Sequence, residues 1–343
     1  MEEVKEKEEE GNIISRRNIF VNTAKSLVAS FTIPALTTMT VLKPNPVNAL
    51  LLQFPIDNIK TQPLKNKYHF IRAGTSELEL NNILSTNPLF LTNRDNALSS
   101  NGYNELTKSL DILKDEPLQP TVCFHSLAAN GMDTGDYIAR ELKLGRDRLL
   151  PEFTYLDRRG IGLWDSSSIQ DVESAIWAMD YIEAGVEGFN GRPPPNTDGT
   201  PNDTLHDQFT RLRQFISLQE TRTSGDIILV IFPDGTGPAL LECMIAGIPF
   251  EDCHIMEYVP GEIRLDISVE STLKLYNERK NDKVYYSNYI QKINDGKLKL
   301  DSLRNQDKNS FSITYKDSIL DDEDDFVFRK FCNLILPSSI VCK

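Results

Sequence analysis

The run Ile227-Ile228-Leu229-Val230-Ile231-Phe232 constrains this chain more than any other stretch. Six consecutive apolar residues, most of them β-branched, leave no polar edge to turn toward water. A strand made of them must be covered on both faces, which is the situation of a strand inside a parallel sheet flanked by helices. Pro233-Asp234-Gly235 stops the strand, and Pro238 to Ala246 then reads as a helix closed by Gly247.

Two further strands share this character. Tyr68-His69-Phe70-Ile71-Arg72 is a buried strand that ends abruptly in an arginine followed by Ala73-Gly74-Thr75, and Thr121-Val122-Cys123-Phe124 leads into a turn from His125 to Gly131. Between and after them lie helical patterns. Leu106, Leu110 and Leu113 give one apolar face to a helix over about 103–113, a second helix runs over about 133–144, and Val172, Ile176, Met179 and Ile182 mark a third. A long helix starts at Asp203-Thr204, good capping residues, and carries Leu205, Phe209, Leu212 and Phe215 on its packing face. His254 to Val259 and Glu262 to Ile267, flanking Pro260-Gly261, predict an antiparallel pair at the sheet edge. The alternation predicts one α/β domain over residues 50–268: a single doubly wound, mostly parallel sheet with helices on both faces. The Pro/Gly-rich stretch from Gly185 to Asn202 reads as a connector, with a lid as the alternative.

Composition supports a globular protein and narrows its partners. The 343 residues are 40% hydrophobic, enough for a sizeable core. Fifty acidic against thirty-seven basic residues leave a formal charge of −13, which repels nucleic acid and anionic membrane, and the nucleic-acid class is set aside. The five cysteines are an odd set with no paired two-residue spacing, so no metal and no cofactor is expected. Cys332 and Cys342, close together in an isolated tail, are the one pair that suggests a disulfide.

In an open doubly wound sheet the ligand crevice lies beyond the carboxyl ends of the strands, so Arg72 is placed for a ligand contact. Its surroundings resemble a known family. Tyr68 to Thr75 is similar to the Arg-His-Gly-Glu/Thr opening of the histidine phosphatase superfamily, the phosphoglycerate-mutase-like proteins. Leu98-Ser99-Ser100-Asn101-Gly102 resembles its Leu-Thr-x-x-Gly, and Ser126 to Thr134 resembles the segment carrying its second essential arginine. Leu156 to Trp164 is similar to its acid-bearing Glu-Arg-x-x-Gly loop. Ile227 to Gly235 stands where it has a strand followed by Ser-His-Gly, and Arg211 lies in a helix like its late helix.

The resemblance implies a phosphohistidine site whose parts are largely gone. Ala73 stands in the place of the nucleophilic histidine, Pro233 in that of the second histidine, Asn130 in that of the second arginine, and Arg158 in that of the acid. Only Arg72 is kept. Loss of a nucleophile alone removes about a millionfold in rate, and general acid–base catalysis supplies about 10²–10⁴ more. No catalytic residue is therefore expected, and the ligand-binding candidates are Arg72, Asn130, Asp157, Arg158 and Asp234. Arg72 has a plain alternative as half of a structural ion pair, for instance with Asp234. His125, just past a strand, could reach the pocket or serve only as a turn residue, and His69, His206 and His254 read as packing or surface residues. The same pattern resembles a plant and algal group of phosphoglycerate-mutase-like proteins that lack both histidines.

The ends of the chain carry a different signal. Arg16-Arg17, an uncharged stretch from Ser26 to Leu42 and the small-residue end Val47-Asn48-Ala49 form the three parts of a twin-arginine export leader over residues 1–49. The uncharged stretch is rich in Thr and Ser and short of the about 20 apolar residues a stable span needs, so the mature form is expected to have no membrane span. The acidic Met1 to Glu10 fits neither a bacterial leader nor an acid-poor plastid transit peptide and suggests an incomplete start. In a photosynthetic source the leader would address the chloroplast thylakoid lumen. Residues 269–343 form a C-terminal extension with an acidic run, Asp321 to Asp325, and apolar groups at Phe326-Val327-Phe328 and Leu334-Ile335-Leu336 that should dock on the domain or meet a partner.

These readings lead to a catalytically degenerate binding or assembly module with an unknown protein partner and a weak phosphate or carboxylate ligand. The alternatives are a phosphatase-like enzyme of altered mechanism, built from His125, Asp157 or Asp234 around Arg72, and an inert structural domain. Replacing both Arg16 and Arg17 with lysine is expected to abolish export, read as loss of the processed form beginning near Leu50. Unchanged processing would refute a guanidinium-reading route.

Overall fold

The computed structural model describes residues 64–183 and 191–305. The leader, the Cys332–Cys342 pair, the acidic run and the apolar end all lie outside the described residues, as do residues 184–190 of the Pro/Gly-rich stretch.

Five strands form one sheet: β1 (Lys67–Arg72), β2 (Val122–Ser126), β3 (Leu149–Glu152), β4 (Ile227–Phe232) and β5 (Ile263–Arg264), in the order β3-β2-β4-β1-β5. The first four are parallel, and β5 runs antiparallel to β1. β4 takes the central place, with Ile228 paired to both Tyr68 and Val122 and Val230 to both Phe70 and Phe124. All six of its residues are buried.

The nine helices of the described residues are α1 (Glu77–Leu80), α2 (Pro88–Leu91), α3 (Ser100–Asp115), α4 (Ala129–Glu141), α5 (Ile169–Glu183), α6 (Leu205–Arg222), α7 (Thr236–Ala246), α8 (Val269–Asn281) and α9 (Lys283–Asn305). Strand alternation sends Tyr68, Phe70, Phe124, Ile228, Val230 and Phe232 to one face, where Phe209, Leu212 and Phe215 of α6 and Leu240, Leu241 and Met244 of α7 cover them. Ile71, Cys123, Leu229 and Ile231 point the other way, onto Leu106 and Leu113 of α3 and Ile138 of α4. The sheet is thus doubly wound and mostly parallel, with helices on both faces.

Local signals explain several boundaries. Thr204 caps α6 through a reciprocal pair with Asp207, and Gly247, at φ 70°, closes α7 in the left-handed conformation. Gly74 is required by a close approach of two turns. A Cβ there would lie 2.6 Å from the Gly102 carbonyl oxygen and 2.8 Å from Gly102 Cα, so the segment after β1 and the start of α3 meet backbone to backbone.

One expectation changes. Between His254 and Ile267 the chain forms no antiparallel pair: Phe250–Met256 is a 3₁₀ helix, and only Ile263–Arg264 is a strand, paired with β1 instead. Phe250, Cys253 and Met256 recur every third residue and enter one core cluster, which is the period of a 3₁₀ turn and not of a strand. β3 escapes the sequence pattern because it is an edge strand with exposed Leu150 and Pro151, a place where proline is tolerated. Beyond residue 268, α8 and α9 follow directly, and α9 lies along α5. Leu300 joins Trp164, Val172 and Met179, while Tyr289 and Ile293 pack on Ile255.

Cys123, Cys243 and Cys253 are buried and unpaired. Among the described residues no helix is long and apolar enough to cross a membrane, and no three His, Cys, Asp or Glu side chains are grouped to hold a metal ion. Gly74→Ala is expected to lower stability by about 1–3 kcal/mol, because backbone on both sides of the contact has to yield. A urea midpoint unchanged from the parent would show that the two turns are free to separate.

Candidate functional site

Parallel strands all leave the sheet at the same end, so the loops after β1, β2, β3 and β4 meet there. Where β4 stops, Pro233 presents a buried carbonyl that no strand neighbour satisfies. It accepts from Asn130 Nδ2 at 3.1 Å and from Arg158 Nη2 at 2.6 Å. Asn130 sits in the first turn of α4, fully buried, with its own Oδ1 taken by the Gly131 amide at 2.9 Å. Arg158 arrives on the loop after β3 and donates from Nη1 to the Ser85 carbonyl at 3.3 Å. Arg211 of α6 steadies that loop, reaching the Arg158 carbonyl at 3.3 Å while paired with Asp203 at 3.0 Å.

Arg72, at the end of β1, does not pair with Asp234. Its Nη1 donates to the Tyr258 carbonyl at 2.8 Å, and its Nη2 lies 3.4 Å from Glu79 Oε1. The same oxygen of Glu79 is 2.6 Å from Arg158 Nη2. The partner of both arginines is thus a residue absent from the sequence-derived candidates. α1 holds it in place: Ser76 Oγ accepts from the Glu79 amide at 3.2 Å and Glu79 Oε2 accepts from the Ser76 amide at 3.1 Å. Ser76-x-x-Glu79 is a legible capping box, yet nothing in its spacing announces that the carboxylate would also reach two arginines.

The electrostatics follow from burial. The Arg158 side chain is 2% exposed, that of Glu79 10% and that of Arg72 18%. Burial alone would favour a neutral Glu79, but Arg158 and Arg72 outweigh it and hold the carboxyl below its ordinary value. Half-buried Asp234 is shifted the other way by burial, with Arg158 opposing and Glu257 adding to the rise, and its Oδ1 accepts from the Gly237 amide at 3.1 Å. Burial pushes the Asp157 carboxyl up to about 6, against the pull of Arg211.

The remaining candidates fall elsewhere. Ala73 belongs to the apolar cluster with Leu98 and Leu106. His125 follows Phe124 and so shares the α4 face with Cys123, lying against Gly135, whereas Arg72 follows Ile71 onto the opposite face. Its Nδ1 is 2.8 Å from the Ser126 carbonyl. His254 is buried in a second network, with Nε2 2.8 Å from Asp180 and Nδ1 3.0 Å from Glu257, stacked on Trp177 at 4.7 Å. Arg159 completes that network through Asp180 at 2.7 Å. The described part of the Pro/Gly-rich stretch is strapped to the loop after β3, where Gly162 and Leu163 donate to the carbonyls of Pro201 and Pro194, each at 2.8 Å.

No family model matches the chain, and no curated protein matches it. Among solved structures it is similar to a mycobacterial glucosyl-3-phosphoglycerate phosphatase complexed with VO3, at 14% identity and a TM-score of 0.44, covering 59% of this chain and 98% of that one. It is also similar to the alpha-ribazole phosphatase from Shigella flexneri, at 15% identity and a TM-score of 0.43, covering 59% and 96%. A phosphoserine phosphatase from Entamoeba histolytica in complex with 3-phosphoglyceric acid gives 16%, 0.42, 58% and 88%.

Arg158→Ala is expected to cost about 3–5 kcal/mol, because it leaves the buried Glu79 carboxylate with only the longer Arg72 contact and frees two carbonyls. Arg72→Ala leaves Glu79 paired and should cost about 1–3 kcal/mol. Glu79's contribution is fully present above its ordinary 4.5 and lost as the pH falls through its lowered folded value. Urea titrations at neutral and acid pH check the order, and equal losses for the two variants would contradict the shared-carboxylate geometry.

Proposed function

We propose that this chain is a catalytically degenerate protein of the histidine phosphatase fold that acts, after export, as a binding or assembly module for a protein partner. One observation carries the reading. The strand-end arginines are already engaged by Glu79 and by the carbonyls of Tyr258, Ser85 and Pro233, while the two positions that would need imidazoles hold an alanine in an apolar cluster and a proline whose carbonyl is itself an acceptor. Phosphoryl transfer through histidine has neither a nucleophile nor a second imidazole to work with. In a photosynthetic source the place of action is the thylakoid lumen.

A second reading, an enzyme of altered mechanism acting on a phosphorylated small molecule, draws support from Asp157. A carboxyl raised to about 6 can exchange a proton near neutrality. The two readings separate in one assay. The full chain is incubated with p-nitrophenyl phosphate and with 3-phosphoglycerate, and released phosphate is followed between pH 5 and 8. The binding-module reading expects no release above buffer. Turnover that rises through about pH 6 and disappears in Asp157→Asn or Arg72→Ala would replace it with the enzyme.

A further inference from the structure

A carboxylate between two guanidiniums and a backbone amide has the donor set of an oxyanion site, and here the oxyanion is part of the chain. Oε1 of Glu79 lies 2.6 Å from Arg158 Nη2 and 3.4 Å from Arg72 Nη2, and Oε2 lies 3.1 Å from the Ser76 amide. The side chains of Arg158, Arg72 and Glu79 are 2%, 18% and 10% exposed, so water competes little for these bonds. A second observation points the same way: the Nε atoms of both Arg72 and Arg158 are buried without a hydrogen-bond partner. The pair therefore has more donors than one carboxylate occupies, which suits an anion with more oxygens. The other carboxyls near the arginines are engaged elsewhere, Asp234 with the Gly237 amide and Glu257 with Thr236 and His254.

We propose that Glu79 is a resident anion, a tethered carboxylate filling an oxyanion site that would otherwise take inorganic phosphate or a phosphate monoester. The wild-type pair is closed to free phosphate and works as a clasp that pins the segment around α1 to the end of the sheet. This deepens the binding-module reading, since it makes the ligand at the strand ends internal and places the partner surface elsewhere.

The test uses the full chain, Glu79→Ala, Glu79→Gln and the double variant Arg72→Ala/Glu79→Ala, with inorganic phosphate and acetate as probes in calorimetry and thermal melts. Wild type should give no binding heat and a melting midpoint indifferent to phosphate. Glu79→Ala should melt lower by roughly 6–20 °C and recover roughly 3–6 °C in phosphate at about ten times its Kd, with the recovery gone in the double variant. Glu79→Gln, which loses the charge but still occupies the site, should show a smaller gain than Glu79→Ala. If neither single variant folds in plain buffer, phosphate-dependent refolding supports the resident anion and its absence overturns it. Phosphate binding by wild type equal to that of Glu79→Ala, or folded variants indifferent to both anions, also overturns it. Ester hydrolysis is followed in parallel: turnover by wild type would remove the non-catalytic reading, while binding alone decides whether Glu79 fills the site.

Discussion

Complete burial of β4 on both faces is the constraint from which the rest of the molecule follows. Its side chains are apolar in both directions, and each Val, Leu, Ile or Phe withdrawn from water contributes about 1.5–3 kcal/mol. That requirement calls for helices above and below and parallel neighbours on both sides, and parallel neighbours bring four loops to one end. A carbonyl leaving a fully buried strand also needs a donor from outside the sheet, since an unpaired one would cost about 1–3 kcal/mol. Phe232 O receives the Ala73 amide at 2.8 Å, and Pro233 O receives Asn130 and Arg158. Much of what gathers at the strand ends is there to satisfy the backbone.

Adjacent residues serve two separate charge networks. Arg158 turns to Pro233 and Glu79, and Arg159 turns to Asp180, whose second oxygen holds His254. Burial alone would keep His254 neutral, but Cys253, Asp180 and Glu257 around it push its imidazole well above the usual value. The stacked Trp177 and Lys292 of α9, 3.5 Å over the same indole, extend this network to the last described helix. Glu257 belongs to the network and lies beside Tyr258, whose carbonyl holds Arg72, so the two systems meet at that turn.

The elements legible in the sequence are those whose placement is decided locally. β4 and β1 are apolar runs, α6 announces its start with Thr204, and Gly247 ends α7 with a left-handed residue that other side chains rarely adopt. What stays hidden depends on contacts far apart in sequence. β3 exists because β2 offers a free edge, and the Phe250–Met256 turn follows from which residues the core admits. Arg72, Asn130, Arg158 and Pro233 are visible as a set through motif order. Glu79, the partner of the two arginines, is not, because the Glu79–Arg158 pair spans 79 positions and its carboxylate has an innocent local explanation as a cap.

Why two arginines stand at the strand ends can be argued from what would replace them badly. Buried ion pairs are often no better for stability than well-packed apolar side chains of similar volume, so charge pairing with Glu79 is a weak reason to keep them. Their hydrogen bonds to the backbone are a stronger one. Arg72 satisfies Tyr258, and Arg158 satisfies both Ser85 and Pro233, carbonyls supplied by three different segments around the sheet end. An apolar residue would leave those oxygens unpaired, and a lysine, with its single ammonium, has no planar fork to span Ser85, Pro233 and Glu79 together. The guanidinium is thus the group that can close this end of the sheet, and Glu79 is the counter-charge that lets it do so in a place shielded from water.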